Sequence, residues 1–216
     1  MAAATSFFRR PQGAGWLILS GGRVGDEQAA RVLGVMDVAG PVVVVVLSAG
    51  EVEQGTSELA IFTDPSGLPG SVGVLDPAGG GNPSVLEVLA EAALIIIADC
   101  GPDESLRQAL EESGASDVLL EALRSGAVIL AEGAAAEVLG QFTGSEEPAP
   151  GLGWLPGAVI QTHYLPDRPA PRLPERSHLY RLGLGEGAVL ALGPGGSVEV
   201  WGQPSPVVTL GTGWLR

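Results

Sequence analysis

The sequence predicts an α/β domain in three layers: a doubly wound, mostly parallel sheet between helices, finished by C-terminal antiparallel strands. Three observations predict it. Trp16–Ser20, Val42–Leu47, Leu94–Ala98 and Ala127–Leu130 are apolar at nearly every successive position, the pattern of strands buried on both faces. Segments of helical period stand between them. The 216 residues suffice for one large core and show no repeat, giving a single domain, 1–216, with a flexible start over 1–13.

Trp16–Ser20 ends in Gly21-Gly22, and Asp26 opens a helix to about Met36 with Ala29, Ala30, Val32 and Leu33 on its apolar side. Val42–Leu47 follows Pro41 and ends in Ser48-Ala49-Gly50. Residues 50–70 are less regular, so a shortened or replaced crossover helix is expected there. Ser71–Leu75 returns to strand, and Ser84 caps a helix carrying Val85, Leu86, Val88, Leu89 and Ala92. After Leu94–Ala98, helical stretches are expected near Asp103–Ser113 and Ser116–Ser125. Ala127–Leu130 runs through Glu132-Gly133 into a helix reaching about Phe142. Residues 144–156 read as loop, 157–162 as strand, 166–174 as a Pro/Arg-rich loop and Glu175–Tyr180 as a helix. Ala188–Leu192, Val198–Trp201 and Val207–Leu210 then extend the sheet antiparallel, with Gly193–Gly196 as a turn.

Composition removes several functions. Eleven cations, all arginine, against 25 carboxylates give a net charge of −14. Such a surface repels a phosphate backbone, so no nucleic acid is expected as a partner. No apolar run approaches the roughly 20 residues that cross a bilayer, and Arg9-Arg10 follows the apolar start instead of preceding it, unlike a secretory leader. With Cys100 as the one cysteine, no intramolecular disulfide can form. A cytoplasmic protein with no membrane partner is the expectation. Two histidines and one cysteine leave little for a metal site. The loop Gly79-Gly80-Gly81 lacks a phosphate-binding lysine and dinucleotide spacing, so no metal and no cofactor are expected. The acidic pair Glu146-Glu147 reads as solvated loop.

Several segments together resemble the cyanophycinase and dipeptidase E family of serine peptidases. Gly126 to Val138 resembles that family's strand, Gly-Thr-Ser-Ala-Gly-Ala, helix elbow. Gly151-Leu152-Gly153-Trp154-Leu155-Pro156-Gly157 is similar to its Gly-Leu-Gly-Leu-Leu-Pro-Gly stretch, and Gln161-Thr162-His163-Tyr164 to its Asp-Gln-His-Phe. Gly183-Leu184-Gly185-Glu186 resembles its Gly-Ile-Asp-Glu, and Leu94–Asp103 the strand into its Gly-Gly-Asp turn. The matches keep the family's order along most of the chain. The resemblance implies a class I glutamine amidotransferase-like, flavodoxin-like fold and a small peptide or amino-acid-like ligand.

Under that resemblance the family's nucleophilic serine falls on Gly133, which has no side chain to form an acyl-enzyme but tolerates a strained turn. The oxyanion turn falls on Gly101-Pro102-Asp103, and proline has no N–H to donate. His163 matches the histidine base and is either a ligand-binding group or a polar remnant. Glu186 matches a family acid or is a solvated carboxylate. Glu132 pairs with His163 as acid and base, or simply sits at a helix start. Cys100 is a strand-end thiol, either displaced nucleophile or buried structural group, and Ser48-Ala49-Gly50 repeats three letters of the serine motif. The main expectation is a non-hydrolytic peptidase homologue that binds a ligand or acts as a scaffold. The alternative is a hydrolase of small peptides or amides with a displaced nucleophile or acid/base pair. A homodimer built on Trp201, Leu210 and Trp214 is also expected.

Overall fold

The computed structural model describes residues 7–76, 82–101, 103–144, 148–167, 173 and 178–215. Pro102, Gly79-Gly80-Gly81, Glu146-Glu147 and residues 175–177 of the expected helix at 175–180 lie outside them. Tyr180 itself begins a strand.

The first half alternates as the apolar runs require. β1 (Trp16–Ser20) leads to α1 (Asp26–Gly34), β2 (Val42–Val46), α2 (Val52–Ser66), β3 (Gly70–Val74), α3 (Pro83–Glu91) and β4 (Leu94–Ile97). Then come α4 (Asp103–Glu112), α5 (Ala115–Ser125), β5 (Val128–Glu132) and α6 (Ala134–Val138). Every residue of β2, β4 and β5 is buried, so helices cover both faces of the sheet. A fully buried valine or isoleucine contributes roughly 1.5–3 kcal/mol, so these central strands dominate the core.

The remaining strands are β6 (Gly140–Thr143), β7 (Leu155–Gln161), β8 (Tyr180–Gly183), β9 (Val189–Leu192), β10 (Val198–Trp201) and β11 (Val207–Leu210). The main sheet has the order β10-β9-β1-β5-β4-β2-β3. Its strands β1 to β5 are parallel, and β9 and β10 are antiparallel additions beside β1. Counted from β2, the parallel strands follow the flavodoxin order 2-1-3-4-5, with the chain's first strand in fifth place. The expected fold class is therefore the one found.

Three expectations change. Residues 50–70 hold a full fifteen-residue helix, α2, whose buried face includes Gly55, Glu58 and Phe62. Gly55 lets the helix lie directly on Val44, Val46 and Val72, where a Cβ would come within 3.0 Å of two valine methyls. The helix after Gly133 stops at Val138, and Phe142 belongs to β6. β11 does not extend the main sheet but pairs with β8 in a second sheet ordered β11-β8-β7-β6. Within the segment 1–13, the Arg10 side chain donates to the carbonyls of Pro11, Gly13 and Gly193.

Candidate functional site

Five strand ends converge at one edge. The turn Gly21-Gly22 follows β1, Asp99 follows β4, Gly133 follows β5, His163 follows β7 and Glu186 follows β8. This is the carboxyl edge of the parallel strands, where doubly wound folds place their ligands.

Gly133 forms the strand-to-helix elbow at φ 50°, ψ −123°, a conformation that side chains rarely adopt. Its N–H donates to the Ser20 carbonyl at 3.1 Å, fixing the turn to β1. A Cβ at this position would lie 2.0 Å from Cγ of Asp99 and within 2.3 Å of both its carboxylate oxygens. The space of an elbow side chain is therefore filled by Asp99. Its Oδ1 accepts the N–H of Ala134, the first residue past the elbow, at 2.9 Å. Its Oδ2 stands 3.1 Å from Nε2 of His163.

The other imidazole nitrogen, Nδ1, is 3.3 Å from Oε1 of Glu186. The result is a line Glu186–His163–Asp99 whose last member occupies the elbow. A ring protonated on both nitrogens donates to both carboxylates. His163 is held in place by its backbone, which is left-handed at φ 47°, the one positive φ outside glycine among the described residues. Its N–H donates to the Gly21 carbonyl at 3.0 Å. One residue earlier, both the N–H and the hydroxyl of Thr162 donate to Oε1 of Glu137 at 2.7 Å. Glu137 also accepts from the Gly144 N–H; its burial in α6 pushes its carboxyl above the ordinary range. Gly22 makes room for the ring, since a Cβ there would sit 3.3 Å from Cε1 of His163.

A pocket of about 570 Å³ opens beside this line. His163 and Glu186 border it together with Tyr164, Leu165, Pro204 and Val207. A pocket of about 610 Å³ between residues 8–13 and Gly195-Gly196 lies at the opposite, amino-terminal edge of the strands. No group of three or more His, Cys, Asp or Glu among the described residues is arranged to hold a metal.

The structure thus brings Gly133, His163 and Glu186 together and separates Glu132 and Cys100 from them. Glu132 does not pair with His163. It is enclosed beneath the sheet edge, where Oε1 accepts the Val24 N–H at 2.8 Å and the carboxyl faces Glu58 of α2. Burial, reinforced by Glu58, pushes it up to about 10, so it keeps its proton at neutral pH. Cys100 is buried as well, and burial, with the charge of Glu51 next, pushes its thiol up to about 12. Gly101 is left-handed at φ 66° under Leu47, while Pro102 and its part in an oxyanion turn lie outside the described residues. Ser48 opens the turn into α2, its N–H donating to Oε2 of Glu51 at 2.9 Å. Asp99 and Glu137 are the two site residues that sequence reasoning passed over.

No protein-family model and no curated protein matches the sequence. Solved structures do. A peptidase from an acI-B1 Actinobacterium superposes with a TM-score of 0.72 at 17% identity, over 93% of this chain and 97% of its own. A candidate peptidase E protein from Listeria monocytogenes EGD-e superposes with a TM-score of 0.61 at 15% identity, over 88% of this chain and 99% of its own.

Two predictions follow from the buried groups. The folded Glu132 carboxyl lies above its unfolded value, so its contribution to stability is complete below about pH 4.5 and is lost as pH rises toward about 10. Unfolding free energies from denaturant titrations between pH 5 and 9 therefore fall, by at most about 1.4 kcal/mol per pH unit for this group, and Glu132→Gln flattens the slope. Cys100 stays unmodified by iodoacetamide in the native chain at pH 8 and reacts fully once the chain is denatured.

The likeness to both peptidases is one of fold.

Proposed function

We propose that this chain is a peptidase-like homologue that no longer performs serine-type hydrolysis and keeps the cleft at His163 and Glu186 as a ligand site, in the cytoplasm. The observation that carries the reading is the pair Gly133 and Asp99. The elbow has no side chain, and the carboxylate of Asp99 fills the volume that a serine Cβ needs. The Ala134 N–H, which would serve a developing oxyanion in an elbow hydrolase, is already used by Asp99. An amide entering the cleft meets neither a hydroxyl nor that donor. The pocket beside His163 suits a small peptide or amino-acid-like ligand by size and by its mixed lining.

A fluorophosphonate probe tests this. The wild-type chain is expected to remain unlabelled and to leave isoaspartyl and aspartyl-arginine dipeptides intact. Gly133→Ser alone also stays unlabelled, because its Cβ collides with Asp99. Combining Gly133→Ser with Asp99→Ala vacates the space and frees the Ala134 N–H, and labelling appears at residue 133. Labelling of the wild type, or dipeptide turnover that His163→Ala abolishes, contradicts the reading.

Self-association forms the second part of the proposal. Trp201 is buried against Trp16 and drops out of the expected patch. Val207, Val208, Leu210 and Trp214 are exposed on and after the edge strand β11, and an exposed apolar edge invites pairing with a second copy. Equilibrium sedimentation at micromolar concentration is expected to show a dimer that Val208→Lys dissociates; a monomer throughout rejects it.

A further inference from the structure

Accepting that serine chemistry is gone, we propose that Asp99 is a carboxylate nucleophile toward sp³ carbon electrophiles, small apolar epoxides above all, with His163 and Glu186 completing the hydrolysis of the resulting ester. Three observations point the same way. Asp99 reaches the spot that the elbow prepares for an attacking atom, and its side chain is 31% exposed, so a ligand can meet it. His163 links it to Glu186 in the sequence of nucleophile, base and orienting acid that defines a hydrolytic triad by role. The pocket on the far side of the imidazole sets Leu165, Pro166, Pro204 and Val207 beside Tyr164, Ser205 and Glu186, and its apolar part suits a hydrocarbon substituent.

The commitment of the Ala134 N–H decides the substrate class. That donor is bonded to Oδ1 of Asp99, so it does not receive the oxygen of an incoming carbonyl. It is placed instead for an oxyanion that develops on Asp99 itself. Such an oxyanion forms only if Asp99 is first converted to an ester and water then attacks Cγ. Attack of a carboxylate on an amide would give an anhydride, a more reactive acyl group than the amide it came from. Attack on an epoxide gives a stable ester.

The steps balance. Oδ2 of Asp99 attacks a ring carbon, the carbon–oxygen bond of the oxirane breaks, and the ring oxygen, leaving on the face opposite Oδ2, takes a proton from water and leaves hydroxide. Neutral His163, oriented by Glu186, then accepts a proton from water as that water attacks Cγ, placing negative charge on Oδ1 against the Ala134 N–H. The intermediate expels the alkoxide with Oδ2, and the alkoxide takes the proton of the regenerated carboxyl group. Asp99 returns as a carboxylate carrying one oxygen from water, the imidazolium gives its proton to the hydroxide left by the first step, and the epoxide leaves as a diol.

Styrene oxide in oxygen-18 water provides the test, with protein in excess so that each molecule turns over once. The expected result is diol formation with the heavy oxygen in the peptide containing Asp99, and a covalent adduct of the intact oxide on Asp99 that accumulates in His163→Gln. Asp99→Asn, which keeps an acceptor for the Ala134 N–H, lowers diol formation at least about 100-fold. Heavy oxygen in the diol alone, an adduct on any other residue, or no diol from the wild type overturns the proposal. Fluorophosphonate labelling of the same preparation reads the loss of serine chemistry separately, so failure of one assignment is told apart from failure of the other.

Discussion

A carboxylate and an elbow side chain cannot occupy the same volume, and this exclusion at Asp99 and Gly133 organises the functional edge. With Asp99 Cγ 2.0 Å from any Cβ at residue 133, only glycine fits the turn. Its backbone conformation adds a second reason for glycine. The same carboxylate then supplies what the elbow would otherwise leave unmet: an acceptor for the Ala134 N–H and a partner for Nε2 of His163. The glycine elbow and the carboxylate that fills it are one structural feature seen from two strands.

The fold makes this possible by assembling the site from two sheets. β4 and β5 are parallel neighbours, so their carboxyl ends carry Asp99 and Gly133 side by side. β7 and β8 belong to the smaller sheet and deliver His163 and Glu186 from across the cleft. Glu137 joins the halves, since α6 starts at the elbow and its carboxylate holds the Thr162 backbone beside His163. That junction supports a left-handed histidine, which costs on the order of 1–3 kcal/mol in isolation.

Legibility in the sequence followed the strength of the apolar signal. The buried strands Val42–Val46 and Leu94–Ile97 are uniform enough to declare a parallel sheet. α2 is obscured because its inward face uses Gly55 and Glu58, neither of which adds to an apolar period, and because Pro65 lies in its last turn. β11 reads as a sheet extension, yet pairing with β8 is a long-range choice that local pattern does not encode. Gly133, His163 and Glu186 came from motif order. Asp99 is a charge directly after Leu94–Ala98, a plain signal at a ligand-binding edge, yet its place at the elbow rests on the long-range pairing of β4 with β5, which local pattern does not encode. Of the two readings of Glu132, the pair with His163 fails for a geometric reason: its partner across β1 is Ser20, and its carboxyl turns under the edge toward Val24.

The most direct measurement is nitrogen-15 NMR of the His163 imidazole in the wild-type chain and in Asp99→Ala. With Asp99 holding Nε2 and Glu186 holding Nδ1, the substitution is expected to move the Nε2 resonance strongly and the Nδ1 resonance little, while Glu186→Ala does the reverse. An Nε2 resonance indifferent to Asp99 would mean that the carboxylate does not stand at the elbow, and the account would fall with it.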